Sequence, residues 1–114
     1  MESILSYPDF IGALHAAYSS STLPRMEFDA ARYTTDRRTL DFLWKIKPSR
    51  YNVKCIRGAS HLTREGFAHR YGIPVPTLGQ WERDERSPSE YVVQLLAYAV
   101  YCDYITGALD DVQD

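Results

Sequence analysis

The side chains best suited to chemistry in this sequence are hydrogen-bonding groups on one face of a short helix predicted near its centre. Pro76, Thr77, Gln80 and Arg83 fall at positions i, i+1, i+4 and i+7, which form a single stripe on a helix. A hydroxyl, a carboxamide and a guanidinium can donate and accept hydrogen bonds, but they provide neither a nucleophile–base pair nor a metal-ligand set. Residue types alone therefore leave two interpretations open, a surface that binds a partner and an ordinary solvated face of a helix.

The rest of the sequence offers no convincing reaction centre. No Ser/His/Asp order, paired-carboxylate spacing, glycine-rich phosphate loop or metal-ligand cluster stands out. The three histidines are scattered, and Cys55 and Cys102 belong to no CxxC motif. We expect no cofactor, no metal and no enzymatic activity, and we expect both cysteines to be buried thiols in a reducing compartment.

Charge is distributed unevenly along a chain whose formal net charge is −2. Residues 35–60, the basic segment, carry seven lysines and arginines against two aspartates. Such an asymmetry gives either a basic face for an anionic partner or an ordinary solvated basic surface, and charge alone leaves both open. No apolar run approaches the roughly 20 residues that cross a bilayer, and the N-terminus lacks a secretory pattern, so we expect a cytoplasmic protein.

Hydrophobic periodicity and capping residues predict an all-α protein. The predicted helices cover residues 7–19, 36–46, 51–57, 63–71 (with Thr63 as its cap), 75–83 and 88–105. Residues 20–34 are expected to form a loop with room for a short turn, because consecutive Ser and Thr residues interrupt the pattern. Gly58 is expected to stop the third helix. The last helix is expected to bury an apolar stripe of Val92, Leu95, Leu96, Ala99 and Val100.

Residues 62–88 carry the sharpest local signals. Thr63 can cap one helix, and Gly72 supplies the left-handed backbone that a tight turn to the next helix requires. The second helix is expected to bury its inner face through Ile73, Leu78 and Trp81. Its opposite face, which carries the stripe, then stays open to a partner.

The stretch LTREGFAHRYGIPVPTLGQWERDERSP, residues 62–88, resembles the Cro/repressor-type helix-turn-helix family, which includes many antitoxins of toxin–antitoxin pairs. The matching residues are Leu62, Phe67, Ala68, Gly72, Ile73, Thr77, Leu78, Trp81, Glu82, Arg83 and Pro88. In outline the resemblance extends over residues 51–105. It implies a five-helix, repressor-type helix-turn-helix bundle over roughly the second half of the chain.

The resemblance also implies that the second helix of the motif enters the major groove of double-stranded DNA. Gln80 would then bind adenine, Arg83 guanine or a phosphate, and Thr77 a phosphate or a thymine methyl. The expected DNA-binding residues are Arg64, Val75, Pro76, Thr77, Gln80 and Arg83, with phosphate contacts from Arg37, Arg38, Arg50 and Lys54. The alternative is that these are solvated surface side chains, and Glu82 is expected to form an intramolecular salt bridge.

The motif departs from the family at both ends of its second helix. Pro74 and Pro76 each remove a backbone N–H that could bind a phosphate. Asp84 stands where the family commonly has glycine, and with Glu85 it brings two negative charges close to the expected DNA. These departures predict sparse base-specific contacts and leave the fold unaffected.

We predict three parts: an N-terminal helical extension (1–48), the helix-turn-helix domain (49–107) and an acidic tail (108–114). The expected function is a DNA-binding transcriptional regulator, a repressor or antitoxin-like protein, acting as a homodimer. The last-helix tyrosines Tyr91, Tyr98, Tyr101 and Tyr104 form either the dimer interface or the core against the N-terminal helix. The alternative function is a protein-interaction module on the same fold, toxin-neutralising or phage-encoded, with the N-terminal third as a second dimerisation element or docking site.

Overall fold

The computed structural model describes residues 4–110, and every regular element among them is helical. The elements are α1 (Tyr7–Ser19), α2 (Leu23–Ala30), α3 (Arg37–Ile46), a 3₁₀ turn (Lys47–Arg50), α4 (Lys54–Ser60), α5 (Arg64–Tyr71), α6 (Val75–Glu82) and α7 (Glu90–Thr106). The predicted all-α class is therefore confirmed. Residues 111–114 of the predicted acidic tail lie outside the described residues. Within residues 4–110, no helix combines the length and apolar character needed to cross a bilayer.

Side-chain caps begin α1 and α3 where the sequence predicted. The hydroxyl of Ser6 accepts a hydrogen bond from the amide of Asp9 at 3.4 Å. The carboxylate of Asp36 accepts one from the amide of Thr39 at 2.9 Å. Each bond satisfies an amide that the first turn of a helix leaves without a backbone partner.

The segment between α1 and α3 contains a helix, so the expectation of a loop over residues 20–34 was wrong. The hydroxyl of Thr22 accepts a hydrogen bond from the first turn of α2 at 3.3 Å, and Pro24 lies in that turn, where its missing N–H costs nothing. Met26 is fully buried. The Ser/Thr run therefore ends one helix and caps the next.

α4 starts and ends later than predicted, and Gly58 does not stop it. Gly58 lies inside the helix, and the left-handed residue that terminates α4 is His61, with φ 62°. Pro48 lies at the start of the 3₁₀ turn that directly follows α3, where proline is tolerated. Residues 51–53 of the predicted helix thus connect the 3₁₀ turn to α4, and only residues 54–57 are helical as predicted.

Tyr101 of α7 joins the N-terminal helices to the rest of the core. Its ring is fully buried and stacks on Phe10 with centroids 4.8 Å apart. Its hydroxyl lies 3.0 Å from that of Thr39 in α3 and accepts a hydrogen bond from the amide of Leu5 at 3.2 Å. The core is consequently continuous from α1 to α7.

Two further tyrosines of α7 also belong to this core rather than to an exposed surface. Tyr98 donates a hydrogen bond to the carbonyl of Leu5 at 2.7 Å, and Tyr104 packs on Phe42 at 5.2 Å between centroids. Tyr91 is 63% exposed. Of the two interpretations that the sequence left open, packing against the N-terminal helices therefore applies to Tyr98, Tyr101 and Tyr104, and Tyr91 remains available at the surface.

α7 presents a different face to the core from the one predicted. Leu96 and Val100 are buried as expected, but Val92 and Leu95 are 39% and 41% exposed and Ala99 is exposed. The buried face consists of Val93, Leu96, Ala97, Val100, Tyr101 and Ile105. Because apolar residues occur on most sides of this helix, periodicity alone does not fix its rotation, and the aromatic contacts with α1 and α3 do.

Candidate functional site

The predicted helix-turn-helix is formed by α5, a short turn and α6. Thr63 caps α5, and its hydroxyl accepts an amide hydrogen bond at 3.1 Å. Gly72 ends α5 in the left-handed conformation with φ 70°, and the amide of Ile73 donates to the carbonyl of Ala68 at 2.9 Å. A side chain at position 72 would cost about 1 kcal/mol in backbone strain, so glycine sets the sharp angle between the two helices.

α6 is held by its inner face and open on its outer face. Leu78 and Gly79 are buried, while Ile73 and Trp81 pack half-buried against the core. The outer face carries the predicted binding residues: Val75, Pro76 and Arg83 are exposed, and Thr77 and Gln80 are half-buried. Within residues 4–110, neither the Thr77 hydroxyl nor the Gln80 carboxamide has a hydrogen-bond partner. Both groups are therefore available to a ligand.

A buried carboxylate fixes the end of α6. Glu82 has a fully buried side chain that accepts two hydrogen bonds from Arg57 of α4, 2.7 Å from Nε and 3.0 Å from Nη2. The hydrogen bond to Glu82 raises the pKa of the Arg57 guanidinium, which stays charged. Arg64, at the start of α5, places Nη2 3.4 Å from the same carboxylate. One carboxylate thus links α4, α5 and α6, and the intramolecular salt bridge expected for Glu82 is present.

Asn52 secures the same end of α6 from the segment before α4. Its side-chain amide donates to the carbonyls of Trp81 at 3.0 Å and Glu82 at 3.1 Å, which are among the last carbonyls of the helix. It also lies 3.2 Å from the carboxylate of Asp84, which adopts a left-handed φ of 58°. The Trp81 carbonyl also accepts from the amide of Asp84 at 3.3 Å, so Asn52 adds a second hydrogen bond there and satisfies the Glu82 carbonyl with a side chain.

Arg64, the first of the expected DNA-binding residues, has a side chain that is partly buried and partly exposed. Its side chain is 38% exposed, but its Nε is buried and has no hydrogen-bond partner among the described residues. Arg64 is nevertheless the first residue of α5, at the edge of the helix-turn-helix.

Arg83 lies on the outer face of α6, and its guanidinium already pairs with a carboxylate. Its Nε and Nη2 lie 2.7 Å and 3.3 Å from the two carboxylate oxygens of Glu85. Its guanidinium also covers Gly79, where an added Cβ would lie 2.9 Å from Nη1. The ion pair raises the pKa of Arg83 and lowers the pKa of Glu85, mainly through the hydrogen bond between them. A DNA ligand would have to compete with Glu85 for this arginine.

Two of the predicted phosphate-binding cations are engaged away from α6. Arg37 forms ion pairs with Glu27 at 2.8 Å and Asp41 at 3.5 Å. Arg38 donates to the carbonyl of Tyr104 at 3.0 Å, in the last turn of α7, and its guanidinium lies over that tyrosine ring. Both arginines therefore help to join the N-terminal helices to each other and to α7.

The other two predicted cations flank the residue that contacts α6. Arg50 and Lys54 lie two residues on either side of Asn52, and both are exposed. Arg50 lies over the ring of Tyr18 at 5.6 Å, and neither cation forms an ion pair with a residue between 4 and 110. Because two residues of chain span at most about 7 Å, the backbone at both positions is close to the end of α6.

Sequence reasoning did not identify Arg57 or Asn52 as residues that position the site. Glu82 was expected to form a salt bridge, but Arg57 precedes it by 25 residues and no helical spacing relates the two. Asn52 follows Tyr51 in a segment that was expected to be helical, which concealed its role as a cap.

We expect Glu82→Gln to lower the free energy of unfolding by roughly 2–3 kcal/mol, because two arginines would lose the carboxylate that compensates them. The value lies below the roughly 3–5 kcal/mol of a fully enclosed pair, since Arg57 is 22% exposed. Urea denaturation followed by circular dichroism measures the change. Glu85→Gln is the matched control, because it removes an exposed carboxylate and should leave the midpoint unchanged; equal effects of both substitutions would contradict this interpretation.

Comparison with family models finds one match, to a helix-turn-helix family, over residues 54–98. The comparisons with curated proteins and with solved structures found no match. The matched residues begin at the first residue of α4 and run into α7, so they include the Arg57–Glu82 pair, the turn at Gly72 and the outer face of α6. The match confirms the resemblance seen in residues 62–88 and supports a DNA-binding regulator. Residues 54–98 therefore match the model of a helix-turn-helix family of the Cro/repressor type.

Proposed function

We propose that this protein is a DNA-binding transcriptional regulator that inserts α6 into the major groove, acting as a repressor or as an antitoxin-like regulator. The observation that carries the proposal is the outer face of α6, where Thr77 and Gln80 have no partner within the described residues. The buried Glu82 pair and the Asn52 cap hold the helix so that this face points outward. A short helix presented in this way matches the geometry with which such domains meet DNA.

The outer face has the chemistry for a few base contacts. The Gln80 carboxamide can pair with N6 and N7 of adenine, and the Thr77 hydroxyl and methyl suit a phosphate or a thymine methyl. Arg83 can reach guanine once it leaves Glu85. The side chains of Val75 and Pro76, both exposed, would offer DNA only apolar atoms. Base recognition would therefore depend mainly on Gln80 and Arg83.

Phosphate contacts would come from the two exposed cations beside the end of α6 and from Arg64. Lys54 and Arg50 make no ion pair with residues 4–110, so their charges remain available for counterion release. Arg37 and Arg38 would contribute less, because carboxylates and carbonyls already occupy them. We expect a small number of phosphate contacts and a moderate dependence of affinity on salt.

A protein-interaction module on the same fold is the second candidate function. The specific observation in its favour is the negative charge of Asp84 and Glu85 beside α6, together with the ion pair that occupies Arg83. Carboxylates at this position repel phosphates and would suit a basic protein surface. A toxin-neutralising or inhibitory protein of this kind would bind DNA weakly or not at all.

DNA binding by α6 can be measured with two duplexes of equal length, one from the region upstream of the protein's own reading frame and one of random sequence. We expect binding to weaken moderately as salt rises, and Gln80→Ala combined with Arg83→Ala to lower affinity for the upstream duplex by at least about tenfold. Fluorescence anisotropy at several salt concentrations gives both quantities.

Arg25→Ala is the control for the loss of positive charge, because Arg25 is also exposed and also paired with a nearby carboxylate, that of Asp29 at 3.1 Å. It should leave DNA affinity almost unchanged. Absence of binding to either duplex at low salt would reject the regulator and favour the interaction module.

We also propose that the protein acts as a homodimer through the exposed apolar side of α7, since one eight-residue helix can contact only a few base pairs. Tyr91, Val92 and Leu95 are exposed on this side, next to a shallow groove of about 260 Å³. The groove is lined by Tyr71, Ile73, Trp81, Val92, Leu95, Leu96 and Ala99, none of which is charged. A ridge and a groove on one uncharged surface suit a two-fold contact between identical chains.

We expect Leu95→Glu to convert a dimer into a monomer, because it would place two carboxylates in the two-fold interface. Leu95 is 41% exposed, so the substitution should leave the fold intact. Sedimentation equilibrium measures the state of association. Phe28→Glu, at a 74% exposed apolar residue of α2, is the control and should remain dimeric; a wild-type protein that is monomeric at high micromolar concentration would reject this interface.

A further inference from the structure

A second concave surface lies between α3 and α4 and shares only Lys54 with the proposed DNA contacts. This α3–α4 groove has a volume of about 430 Å³ and is lined by Lys45, Lys54, Cys55, Gly58, Ala59 and His61. The buried Ala59 and half-buried Cys55 form its inner wall, while the lysines and the histidine are exposed around it. The groove thus combines a mainly apolar interior with a cationic edge.

The two lysines of the groove carry charge that the protein does not compensate. Neither Lys45 nor Lys54 forms an ion pair with a residue between 4 and 110. In the same part of the chain, ion pairs engage six arginines, namely Arg25, Arg37, Arg57, Arg64, Arg70 and Arg83. A ligand with negative charge would therefore find complementary charge at this groove.

Glycine at position 58 and histidine at position 61 are not the residue types that would stabilise α4 most. Gly58 lies inside the helix, where glycine costs about 1 kcal/mol relative to alanine, and a Cβ there would meet nothing within 4 Å. His61 takes the left-handed φ of 62° that glycine adopts without strain. Glycine thus stands where the fold does not need it, and the resulting open space lies in the groove. The space beside Gly58 is therefore available to a ligand.

The groove and α6 lie on different sides of α4. Arg57 points to Glu82 of α6, and Cys55, two residues earlier, lies on the opposite side of a helix that turns about 100° per residue. Cys55, Gly58 and Ala59 are spaced i, i+3 and i+4 and form one face. A ligand seated on this face leaves the outer face of α6 open, and Lys54 is the one residue common to the groove and to the proposed phosphate contacts.

We propose that the α3–α4 groove binds an acidic segment of a partner protein and takes up one of its apolar side chains between Lys45 and Lys54. The volume suits one or two side chains, the inner wall provides apolar contact, and the lysines attract carboxylates on either side of the inserted residue. A nucleic-acid backbone would use the lysines but not the apolar wall. The groove therefore favours a peptide over DNA.

The test is an NMR titration of the ¹⁵N-labelled full chain with an acetylated heptapeptide of five acidic residues and two leucines. We expect the amides of Lys45, Cys55, Gly58 and His61 to shift and to saturate at millimolar peptide or below. Peptides in which glutamine replaces every acidic residue, or serine both leucines, should produce at least tenfold weaker shifts. No shift at millimolar peptide would reject the proposal, and shifts of the Gly58 and His61 amides, which take no part in the proposed DNA contact, with a random-sequence duplex alone would assign the groove to nucleic acid and reject it as well.

Variants separate binding from folding. Gly58→Leu should fill the groove and abolish the peptide shifts while the Tm stays at or above that of the wild type, because leucine favours a helix more than glycine does. Lys45→Gln should weaken peptide binding at least about fivefold, whereas Lys47→Gln should not, because Lys47 lies over the ring of Trp44 and outside the groove. Retention of the peptide shifts in Gly58→Leu, or equal effects of the two lysine substitutions, would overturn the proposal.

Discussion

The buried carboxylate of Glu82 holds together the part of the protein on which its function depends. α6 has only eight residues, too few for a stable helix in isolation, and its start has no side-chain cap. Its position is set instead by Leu78 in the core and by contacts near its end, where Glu82 meets Arg57 and Asn52 satisfies the last carbonyls. A buried ion pair adds little net stability over apolar packing. Because the Glu82 carboxylate is buried and must stay paired with Arg57, however, few orientations of α6 are allowed.

Arginines elsewhere in the chain are also used mainly in ion pairs within the molecule. Most arginines of residues 4–110 are paired with carboxylates inside the molecule, so they link helices rather than create a positive surface. Arg70, for example, joins α5 to Asp103 of α7, and the hydroxyl of Tyr71 donates to the same carboxylate at 2.8 Å. Burial and Asp103 together raise the pKa of Tyr71 far above its usual value. The exposed and uncompensated cations are concentrated between α3 and α4, which gives the protein a basic region despite a net charge of −2.

Local signals in the sequence predicted the elements well wherever a cap or a required backbone conformation was visible. Thr63 and Gly72 fix ends of helices through bonds within a few residues, so their roles could be inferred from spacing. The rotation of α7 could not be inferred, because apolar residues surround that helix and its neighbours decide which side is buried.

The positioning of the candidate site was less accessible to sequence reasoning than its residues. The stripe on α6 followed from helical spacing, and the structure places it on an open face. The contacts that hold α6 in place come from Arg57 and Asn52, which lie 25 and 29 or more positions from their partners in the sequence. The pairing of Arg83 with Glu85 depends on the path of the chain after α6. Such contacts require the fold itself, since no periodic pattern relates their partners.

The most direct test of the account is amide hydrogen exchange, measured by mass spectrometry on the full chain with and without a bound duplex. We predict slower exchange in peptides that cover α5 and α6 and in those that cover residues 45–54, with α1 and α2 unchanged. Slower exchange in α1 and α2 with none in α6, at a duplex concentration that saturates the protein, would contradict the claim that the helix held by Glu82 is the one that meets DNA.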